Sequence, residues 1–360
     1  MSRIPRILLP CTAIAGSATL LHQSTCHTNQ SSTTASSTPL HIAASYTHVA
    51  MVGGHAGSVQ SNGEHVIKAL QSGARGLTEV EFYRQVQRRC TQGHAHSCQL
   101  QALVPRFHGV VLRPHQSPTP PPPVQALGTS HAARPWGSVW GPSAPTLKDT
   151  GLQDGQAAYI QLEDVTLGMA APCVCDMKIG TRSWGPAASR RKQDRAISRY
   201  PTQLVAGYRF TGMRTFRPHD AAGATWAQYA RDYGKNLALH ALPDGWTAFL
   251  WDGATFRHEV ADEISAQLHQ MLAWFEAQRD WHFFSSSVLI AFDGAWKPGQ
   301  GKPPVRVKLI DFSHAANARG QPDVSVATGL RNAIQALQAA SEQAKAGLSP
   351  GCVPLAEPAA

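Results

Sequence analysis

The segment 171–186, APCVCDMKIGTRSWGP, places the strongest constraint on the fold of this chain. Its first part reads as a strand, and successive side chains of a strand point to opposite faces. Asp176 and Lys178 therefore share one face with Val174, and the three apolar residues that alternate with them point to the other. Pro172 and Gly180 frame this strand closely. An acid and a base held on one strand face predict a functional cleft rather than an ordinary structural ion pair.

The composition favours a soluble globular protein with an anionic partner. The 360 residues, 42% of them hydrophobic, can form one large or two modest domains. Lys and Arg number 32 against 23 Asp and Glu, which gives a net charge of +9. This excess fits nucleic acid, an acidic membrane or a phosphorylated metabolite, and charge alone does not choose among them.

The cysteines predict reduced thiols. There are seven of them, an odd and scattered set in a chain too long to need disulfides for stability. The segment CTQGHAHSC brings together Cys90, His94, His96 and Cys98, ligand types that suit Zn²⁺. Because the spacing is not that of a common zinc finger, the favoured interpretation is a polar surface loop. The sequence also has no run of about 18 apolar residues, so we expect no membrane span.

Both ends of the chain are expected to lie outside the folded domain. Residues 1–44 are rich in Ser and Thr, carry Arg3 and Arg6, and contain no acidic residue, the first being Glu64. This composition is typical of an organellar transit peptide, a secretory signal or a disordered extension, and the three alternatives stay open. Apart from such targeting, we expect a cytoplasmic or nuclear protein. Residues 341–360 are predicted to be a tail.

The remaining chain predicts a small lobe over residues 45–165 and a larger lobe over 166–340. In the small lobe, two strands around a turn precede a helix with Leu77, Val80, Tyr83 and Val86 at helical spacing, and QLQALVPRFHGVVL returns as a strand. A proline-rich insertion, residues 113–146, reads as an exposed loop. The larger lobe contains a helix over 257–279, the strands SSSVLIAFDG and VRVKLIDFSHA, and a final helix after residue 325.

Several charged residues suit phosphoryl transfer, which depends on positioning and charge neutralisation. Lys68, on a strand, could reach nucleotide phosphates, with Glu79 or Glu81 on the next helix as its partner. Asp311 ends an apolar strand, where a carboxylate is costly to bury unless it is paired or binds a metal. The alternatives are a solvated ion pair for Lys68 and a capping carboxylate for Asp311.

A group of cations could form a polyanion site. Arg191, Arg195 and Arg199 recur every four residues, so they would lie on one side of a helix, with Lys192 beside them. Like charges stacked in this way repel one another, and a bound polyanion would relieve the repulsion. The alternative is a solvated basic helix face.

The segment PCVCDMKIG matches P-x-x-x-D-x-K-x-G, and with it the chain resembles the inositol polyphosphate kinase family. Further segments follow in the order of that family, among them VIKAL, EVEFYRQV, LEDVT, RYPTQLVAGYRFTGMRTF, WFEAQRDWHFFSSSVLI and KLIDFSHA. The resemblance covers about residues 46–340 without the proline-rich tract. It implies an α+β, two-lobed kinase-like fold over 45–340, with an antiparallel sheet and one helix in the N-lobe and a larger α+β C-lobe.

The resemblance also implies roles for individual residues. Lys68 would contact nucleotide phosphates with Glu79 as its partner, Glu163 and Val165 would bind adenine through backbone groups, and Asp176 would bind the ribose. Asp311 would bind Mg²⁺ beside the serine pair Ser286 and Ser287. The groups that would face the inositol phosphate or the transferred phosphoryl group are Lys178, Arg182, Lys192, Arg199 and His314.

The expected activity is therefore that of a kinase using ATP and Mg²⁺ on inositol tris- and tetrakisphosphates. Within the family the chain is most similar to the multikinases, and the inositol hexakisphosphate kinases, which make pyrophosphates, are the alternative. A non-catalytic phosphate-binding scaffold is the third hypothesis. We expect inositol polyphosphates as the partners, no requirement for nucleic acid, and a monomer.

Overall fold

Two five-stranded antiparallel sheets carry most of the strands in the described part of the chain. The computed structural model describes residues 47–48, 59–71, 74–114, 156–185 and 188–347. The predicted extension 1–44 and nearly all of the proline-rich insertion lie outside these residues, as does the end of the predicted tail. Among the described helices, none combines the length and the apolar character that a membrane crossing requires.

The first sheet forms the smaller lobe, with strand order β1-β2-β3-β5-β4. Its strands are β1 (Thr47–His48), β2 (Val59–Ser61), β3 (His65–Ala69), β4 (Phe107–Pro114) and β5 (Gln156–Glu163). Two helices, α1 (Ala74–Thr91) and α2 (Ala95–Leu103), connect β3 to β4. Val80, Tyr83 and Val86 of α1 are all at most 2% exposed, as the helical spacing predicts.

The prediction of one helix in this lobe was wrong, because part of the predicted strand QLQALVPRFHGVVL is helical. Residues 95–103, AHSCQLQAL, contain no β-branched or aromatic side chain, and Ala, Gln and Leu favour the helix. The helix ends before Pro105, where Val104 is already extended at φ −112° and ψ 157°. Only the second part of the segment forms a strand, β4.

The prediction of reduced thiols fails for the cysteines at the junction of these two helices. Cys90 and Cys98 form a disulfide, with their Cα atoms 4.6 Å apart. This bond also rules out the alternative of a Zn²⁺ site, since neither sulfur is a thiolate. The segment predicted as a polar loop spans the end of α1, a short turn and the start of α2. Helix geometry brings the two cysteines together, which their spacing in the sequence did not reveal. Cys173 and Cys175 are free and buried.

The second sheet forms the core of the larger lobe, with strand order β11-β10-β6-β7-β8. Its strands are β6 (Pro172–Ile179), β7 (Tyr208–Arg217), β8 (Thr225–Tyr229), β10 (Ser287–Asp293) and β11 (Val305–Ile310), and the short strands β9 (Trp281–His282) and β12 (Ala316–Asn317) pair separately. The helices are α3 (Arg190–Arg199), α4 (Pro201–Ala206), α5 (Arg231–Asn236), α6 (Leu242–Leu250), α7 (His258–Ala277) and α8 (Val324–Lys345). The predicted helix over 257–279 is confirmed as α7, and the final helix is α8, which runs beyond residue 340.

The alternation predicted for β6 is confirmed. Cys173, Cys175, Met177 and Ile179 are all 0% exposed, whereas the residues between them are half-buried. Opposite residues of antiparallel strands share a face, so the register defines rows of side chains across the sheet. One row contains Lys178, Ser287 and Ile310, and the next contains Asp176, Leu289 and Lys308. This half-buried face forms the floor of the candidate site.

Aromatic side chains join α1 to the end of β11. The ring of Phe82 stacks on that of Phe312 with centroids 4.0 Å apart. Phe283 packs edge-on against both rings, and Tyr83 against Phe312. These rings bury large apolar areas, so the cluster holds Asp311, the neighbour of Phe312, at a fixed distance from α1.

The larger lobe also binds the smaller lobe through backbone carbonyl groups of α2. Trp274 Nε1 of α7 donates to the His96 carbonyl at 2.9 Å, and Lys308 Nζ of β11 donates to the Ala102 carbonyl at 2.8 Å. Arg89 of α1 forms an ion pair with Asp280 at 3.1 Å. These two hydrogen bonds therefore attach the small lobe to the larger lobe through the backbone of α2.

Loss of the disulfide is expected to destabilise the protein. In Cys98→Ser, or in the reduced protein, the free energy of unfolding should fall by about 2–3 kcal/mol, because the bond closes a short loop in the unfolded chain. Denaturant unfolding with and without reductant measures this difference. The double variant Cys90→Ser, Cys98→Ser is the control, and its stability should not respond to reductant. Equal stability of the oxidised and reduced wild-type protein would contradict the prediction.

Candidate functional site

A chain of ion pairs joins the two lobes where their sheets meet. Lys68 Nζ of β3 lies 2.9 Å from Glu79 Oε1 and 2.6 Å from Asp311 Oδ1. Lys178 Nζ of β6 lies 3.3 Å from Asp311 Oδ2 and 3.1 Å from Ser287 Oγ. One carboxylate thus binds an ammonium group from each lobe, and the structure brings together five residues that the sequence selected.

The predicted choice between the two glutamates of α1 is confirmed. Glu79 is 2% exposed and binds Lys68 through both of its oxygens. Glu81 instead forms an ion pair with Arg88. Because helix residues two apart point in different directions, only one of the two glutamates can face the strand.

The charged forms of this network are strongly stabilised. Burial favours the neutral acid at Asp311, yet Lys68 and Lys178 outweigh that effect and hold the pKa of Asp311 well below its usual range. Burial likewise opposes the charge of Lys68, but Asp311 and Glu79 raise its pKa above the ordinary value. Both groups are charged at neutral pH, and 31% of the Asp311 side chain remains exposed to receive a ligand.

The backbone at Asp311 has an uncommon conformation. Its φ of 68° is in the left-handed region, which Asp tolerates better than most residues with a side chain. Ser286 Oγ donates a hydrogen bond of 2.8 Å to the Asp311 carbonyl. Of the predicted serine pair, Ser286 thus fixes the backbone of Asp311, and Ser287 contacts Lys178.

Asp176 has an unused hydrogen-bond acceptor. Its Oδ1 atom is buried and has no hydrogen-bond partner in the described structure, which is costly unless a ligand supplies a donor. The Asp176 carbonyl accepts a bond of 2.8 Å from Thr211 Oγ1, next to an irregularity in the pairing of β6 with β7. The side chain therefore suits a hydroxyl or another donor of a bound molecule.

Partly exposed apolar side chains lie next to these charges. Val174, Leu289 and Ile310 share the sheet face of Asp176 and Lys178, and Val66 shares the β3 face of Lys68. Each of the four is half-buried, not part of the fully buried core. Apolar surface beside a few polar groups is typical of a small-molecule site.

The link between the lobes places Glu163 and Val165 at the same edge, but two of their backbone groups are already bonded. The Glu163 amide donates to the Arg106 carbonyl at 2.9 Å. The Val165 carbonyl accepts a hydrogen bond of 2.7 Å from Arg306 Nη1 of β11. A contact between this link and a nucleotide base would therefore use the Glu163 carbonyl and the Val165 amide.

A group of cations surrounds His314, three residues after Asp311. Burial and the positive charges of Lys192, Arg75 and Lys178 lower the pKa of His314 to about 4. These charges come from α3, α1 and β6, so cations of three elements act on one histidine. A bound polyanion would offset the repulsion among these positive charges.

The other cations predicted to bind substrate are less closely held. Arg182 is exposed and lies 5.1 Å from the Phe284 ring centroid, and Arg199 lies 5.5 Å from that of Tyr200. The segment with Arg191 and Arg195 is helical, as the polyanion hypothesis assumed, and both of these arginines are exposed.

Two cations of the site escaped the sequence analysis. Arg75 precedes the apolar pattern of α1, and Arg209 lies within an apolar strand segment, where an arginine gives no spacing signal. Arg209 is directly opposite Lys178 in the register of β6 and β7. A charged residue within an otherwise buried strand, YRFTGM, was the one signal that could have identified it.

Comparison with known proteins identifies the family. Residues 159–338, half of the chain, match the family described as inositol polyphosphate kinase. Human inositol polyphosphate multikinase is 28% identical over 234 residues, which are 65% of this chain and 46% of that protein. Inositol hexakisphosphate kinase 3 of Mus musculus is 29% identical over 209 residues, 52% of this chain and 52% of that protein. This chain spans about half the length of these curated relatives.

A solved structure has the same architecture. The crystal structure of inositol phosphate multikinase from S. cerevisiae, in complex with ADP and Mn²⁺, matches with a TM-score of 0.51 at 15% identity, over 77% of this chain and 98% of that chain. This similarity confirms the predicted two-lobed fold. The family match over half of the chain shows that the chain belongs to the inositol polyphosphate kinase family.

The lowered pKa of His314 predicts a pH-dependent stability. The unfolded chain binds a proton at His314 near pH 6.5, whereas the folded protein does so only near its pKa of about 4. The free energy of unfolding should therefore fall as the pH drops from 6.5 towards 4, and fall less in His314→Gln. Thermal unfolding of both proteins across this range measures the difference, and parallel curves would contradict it.

Proposed function

We propose that this protein is an ATP- and divalent-cation-dependent kinase that phosphorylates inositol tris- and tetrakisphosphates. The observation that carries the proposal is the shared Asp311 carboxylate, which binds Lys68 of one lobe and Lys178 of the other beside a cluster of cations. Phosphoryl transfer needs cations around the phosphates and little covalent chemistry from the protein. The network supplies these groups at one place.

The nucleotide would lie on the side of the smaller lobe. Lys68, held by Glu79, would bind its phosphates, and the apolar side chains of Val66, Val174 and Leu289 would contact the base. The unpartnered oxygen of Asp176 would accept hydrogen bonds from the ribose hydroxyls. These roles explain why an acid whose Oδ1 atom has no hydrogen-bond partner in the described structure lies on the same face as the apolar side chains.

The residues present fit a divalent cation. Asp311 offers carboxylate oxygens, the ligands that Mg²⁺ prefers, and its side chain is partly exposed. Ser287, which the sequence analysis assigned to the metal with Asp311, lies one hydrogen bond from Lys178. When bound, the metal would neutralise charge on the transferred group. Lys68 and Lys178, which occupy the Asp311 oxygens here, would then be free to turn to the phosphates.

The acceptor would lie on the side of the larger lobe. Lys178 contacts Asp311, and its charge also acts on His314, so it would neutralise charge on the phosphoryl group as that group moves between the two substrates. Lys192, Arg75 and His314 would bind the phosphates of the inositol ring, with Arg182 and Arg199 further out. The loose transition state reduces the need for a general base, and Asp311, paired with two lysines, stays ionised.

Two alternatives follow from the same residues. An inositol hexakisphosphate kinase would use the same cations for a more highly charged acceptor, and a binding protein would use them without turnover. The match to the multikinase covers more of this chain than the match to the hexakisphosphate kinase, 65% against 52%, which favours the tris- and tetrakisphosphates. The carboxylate shared between two lysines favours an enzyme over a scaffold, because phosphate binding alone requires no acid there.

Incubation with ATP, Mg²⁺ and each inositol phosphate, followed by anion-exchange separation of the products, tests the proposal. We expect products from the tris- and tetrakisphosphates. Conversion of the hexakisphosphate alone would support the first alternative, and binding of all of them without product would support the second.

Substitution of residues in the shared network should strongly reduce turnover. Lys178→Ala and Asp311→Asn are each expected to lower kcat by roughly 10²–10³-fold, because each removes charge stabilisation at the transferred group. Circular dichroism checks folding, and Lys302→Ala, which removes an exposed lysine that is paired with Glu263, is the matched control. Unchanged turnover in both variants would refute the assignment of the site.

Arg306 is predicted to position the link between the lobes for the nucleotide. Because Arg306→Gln weakens the bond to the Val165 carbonyl, the KM for ATP should rise by about three- to tenfold, with a smaller change in the KM for the acceptor. Steady-state kinetics with each substrate varied measures both constants. An equal rise in the two constants would contradict a role confined to the nucleotide.

A further inference from the structure

Helix α3 carries the densest positive charge near the site, yet the helix has no anchor in the core. Its ten residues include five cations and one carboxylate, and none of the ten is buried. In the described structure, every side-chain hydrogen bond and ion pair of α3 joins two residues within 188–200. The orientation of Lys192 and Arg199 must therefore be fixed at an end of the helix.

The carboxyl end of α3 provides a contact that can fix the orientation of the helix. Tyr200 lies between α3 and α4, and its amide caps α3 by donating to the Ala196 carbonyl at 3.1 Å. The guanidinium carbon of Arg209 lies 3.9 Å from the centroid of the Tyr200 ring. A planar guanidinium against an aromatic face is attractive, and the attraction increases when the pair is removed from water.

Arg209 in turn is fixed to the catalytic strand. Its Nε donates to Gln203 Oε1 at 2.8 Å, and Gln203 Nε2 donates to the Gly180 carbonyl at 2.9 Å, just after β6. Arg209 is also opposite Lys178 in the sheet. A rigid path therefore leads from the end of the Lys178 strand, through Gln203 and Arg209, to Tyr200.

Arg209 is buried with few polar partners, so the Tyr200 ring contributes to the stability of its charged form. Arg209 is 8% exposed, its Nη1 atom has no hydrogen-bond partner in the described structure, and the charge of Asp176 favours it without an ion pair forming in the described residues. A buried guanidinium without a carboxylate partner is costly. The electron-rich ring face offsets part of this cost, so separating the ring from the guanidinium is unfavourable.

We infer that Arg209 and Tyr200 form a clasp that fixes α3 relative to Lys178, which makes Arg209 a positioning residue for recognition of the acceptor. The inference rests on the proposed function. The clasp holds the basic helix where the charge of Lys192 acts on His314. Without it, α3 would open more often from its carboxyl end and would no longer present its cations at one place.

Substitutions at Tyr200 test the clasp with the least risk to folding, because Tyr200 is half-buried. Tyr200→Ala should raise the KM for the inositol phosphate acceptor by about tenfold, with kcat and the KM for ATP changed less than twofold. Tyr200→Phe retains the ring and should restore the wild-type KM. Arg209→Lys retains the charge but loses the plane that stacks, so it should behave like Tyr200→Ala.

Hydrogen exchange of residues 190–199 gives a second measurement that does not depend on turnover. Exchange in this segment should be faster in Tyr200→Ala than in the wild type, and unchanged in Tyr200→Phe. Trp226→Leu is the matched control, since it removes a similar pair with Arg214, at 3.7 Å, on β7 and β8. It should alter neither the acceptor KM nor exchange in α3.

The outcomes separate this inference from the proposed function. If the wild-type protein phosphorylates no inositol phosphate, the proposed function fails, and hydrogen exchange alone decides whether the clasp exists. If the wild type is active and Tyr200→Ala shows the wild-type acceptor KM and exchange, the clasp is refuted. An equal rise of the acceptor KM in Tyr200→Ala and Tyr200→Phe would also refute the clasp, because Tyr200→Phe retains the ring that is proposed to contact Arg209.

Discussion

The carboxylate of Asp311 is the group on which the arrangement of the site depends. It accepts Lys68 from the smaller lobe at one oxygen and Lys178 from the larger lobe at the other. Without it, the two ammonium groups would repel each other across the cleft, and Glu79 would be the nearest counter-ion for Lys68 alone. The same dependence appears in the pKa of Asp311, which burial would raise and which the two lysines hold well below its usual range.

This carboxylate is held in place by groups that carry no charge. Phe312, the residue after Asp311, packs its ring against those of Phe82 and Phe283, and Ser286 binds the Asp311 carbonyl. The left-handed backbone at Asp311 is maintained by these contacts on both sides. Apolar packing between α1 and the end of β11 thus determines where an ionic interaction forms, and the ionic interaction in turn brings the two sheets to a common site.

The sequence predicted the parts of the site that follow from local periodicity. The alternation of β6 was enough to place Asp176 and Lys178 on one face, and the apolar strand before Asp311 marked its carboxylate as unusual. The pairing of Lys68 with Glu79 rather than Glu81 required the family resemblance, because both glutamates suit a helix surface. The roles of these residues in binding remain predictions.

Other features depend on contacts that no local pattern records. Arg75 and Arg209 reach the site because strand pairing and helix packing bring together segments that are distant in sequence. The disulfide escaped prediction because a scattered, odd number of cysteines says nothing about which pair a helix junction brings together. The second helix of the small lobe was misread because the apolar residues of a nine-residue helix resemble those of a strand.

The attachment of the smaller lobe has a consequence for its divergence among related proteins. Trp274, Lys308 and Arg306 of the larger lobe donate to main-chain oxygens at positions 96, 102 and 165. Every residue type provides such an oxygen, so substitutions at the accepting positions leave these bonds intact as long as the backbone path is kept. The side chains that matter for this contact are therefore those of the three donors, and exposed side chains of α2 can be exchanged while the helix stays attached.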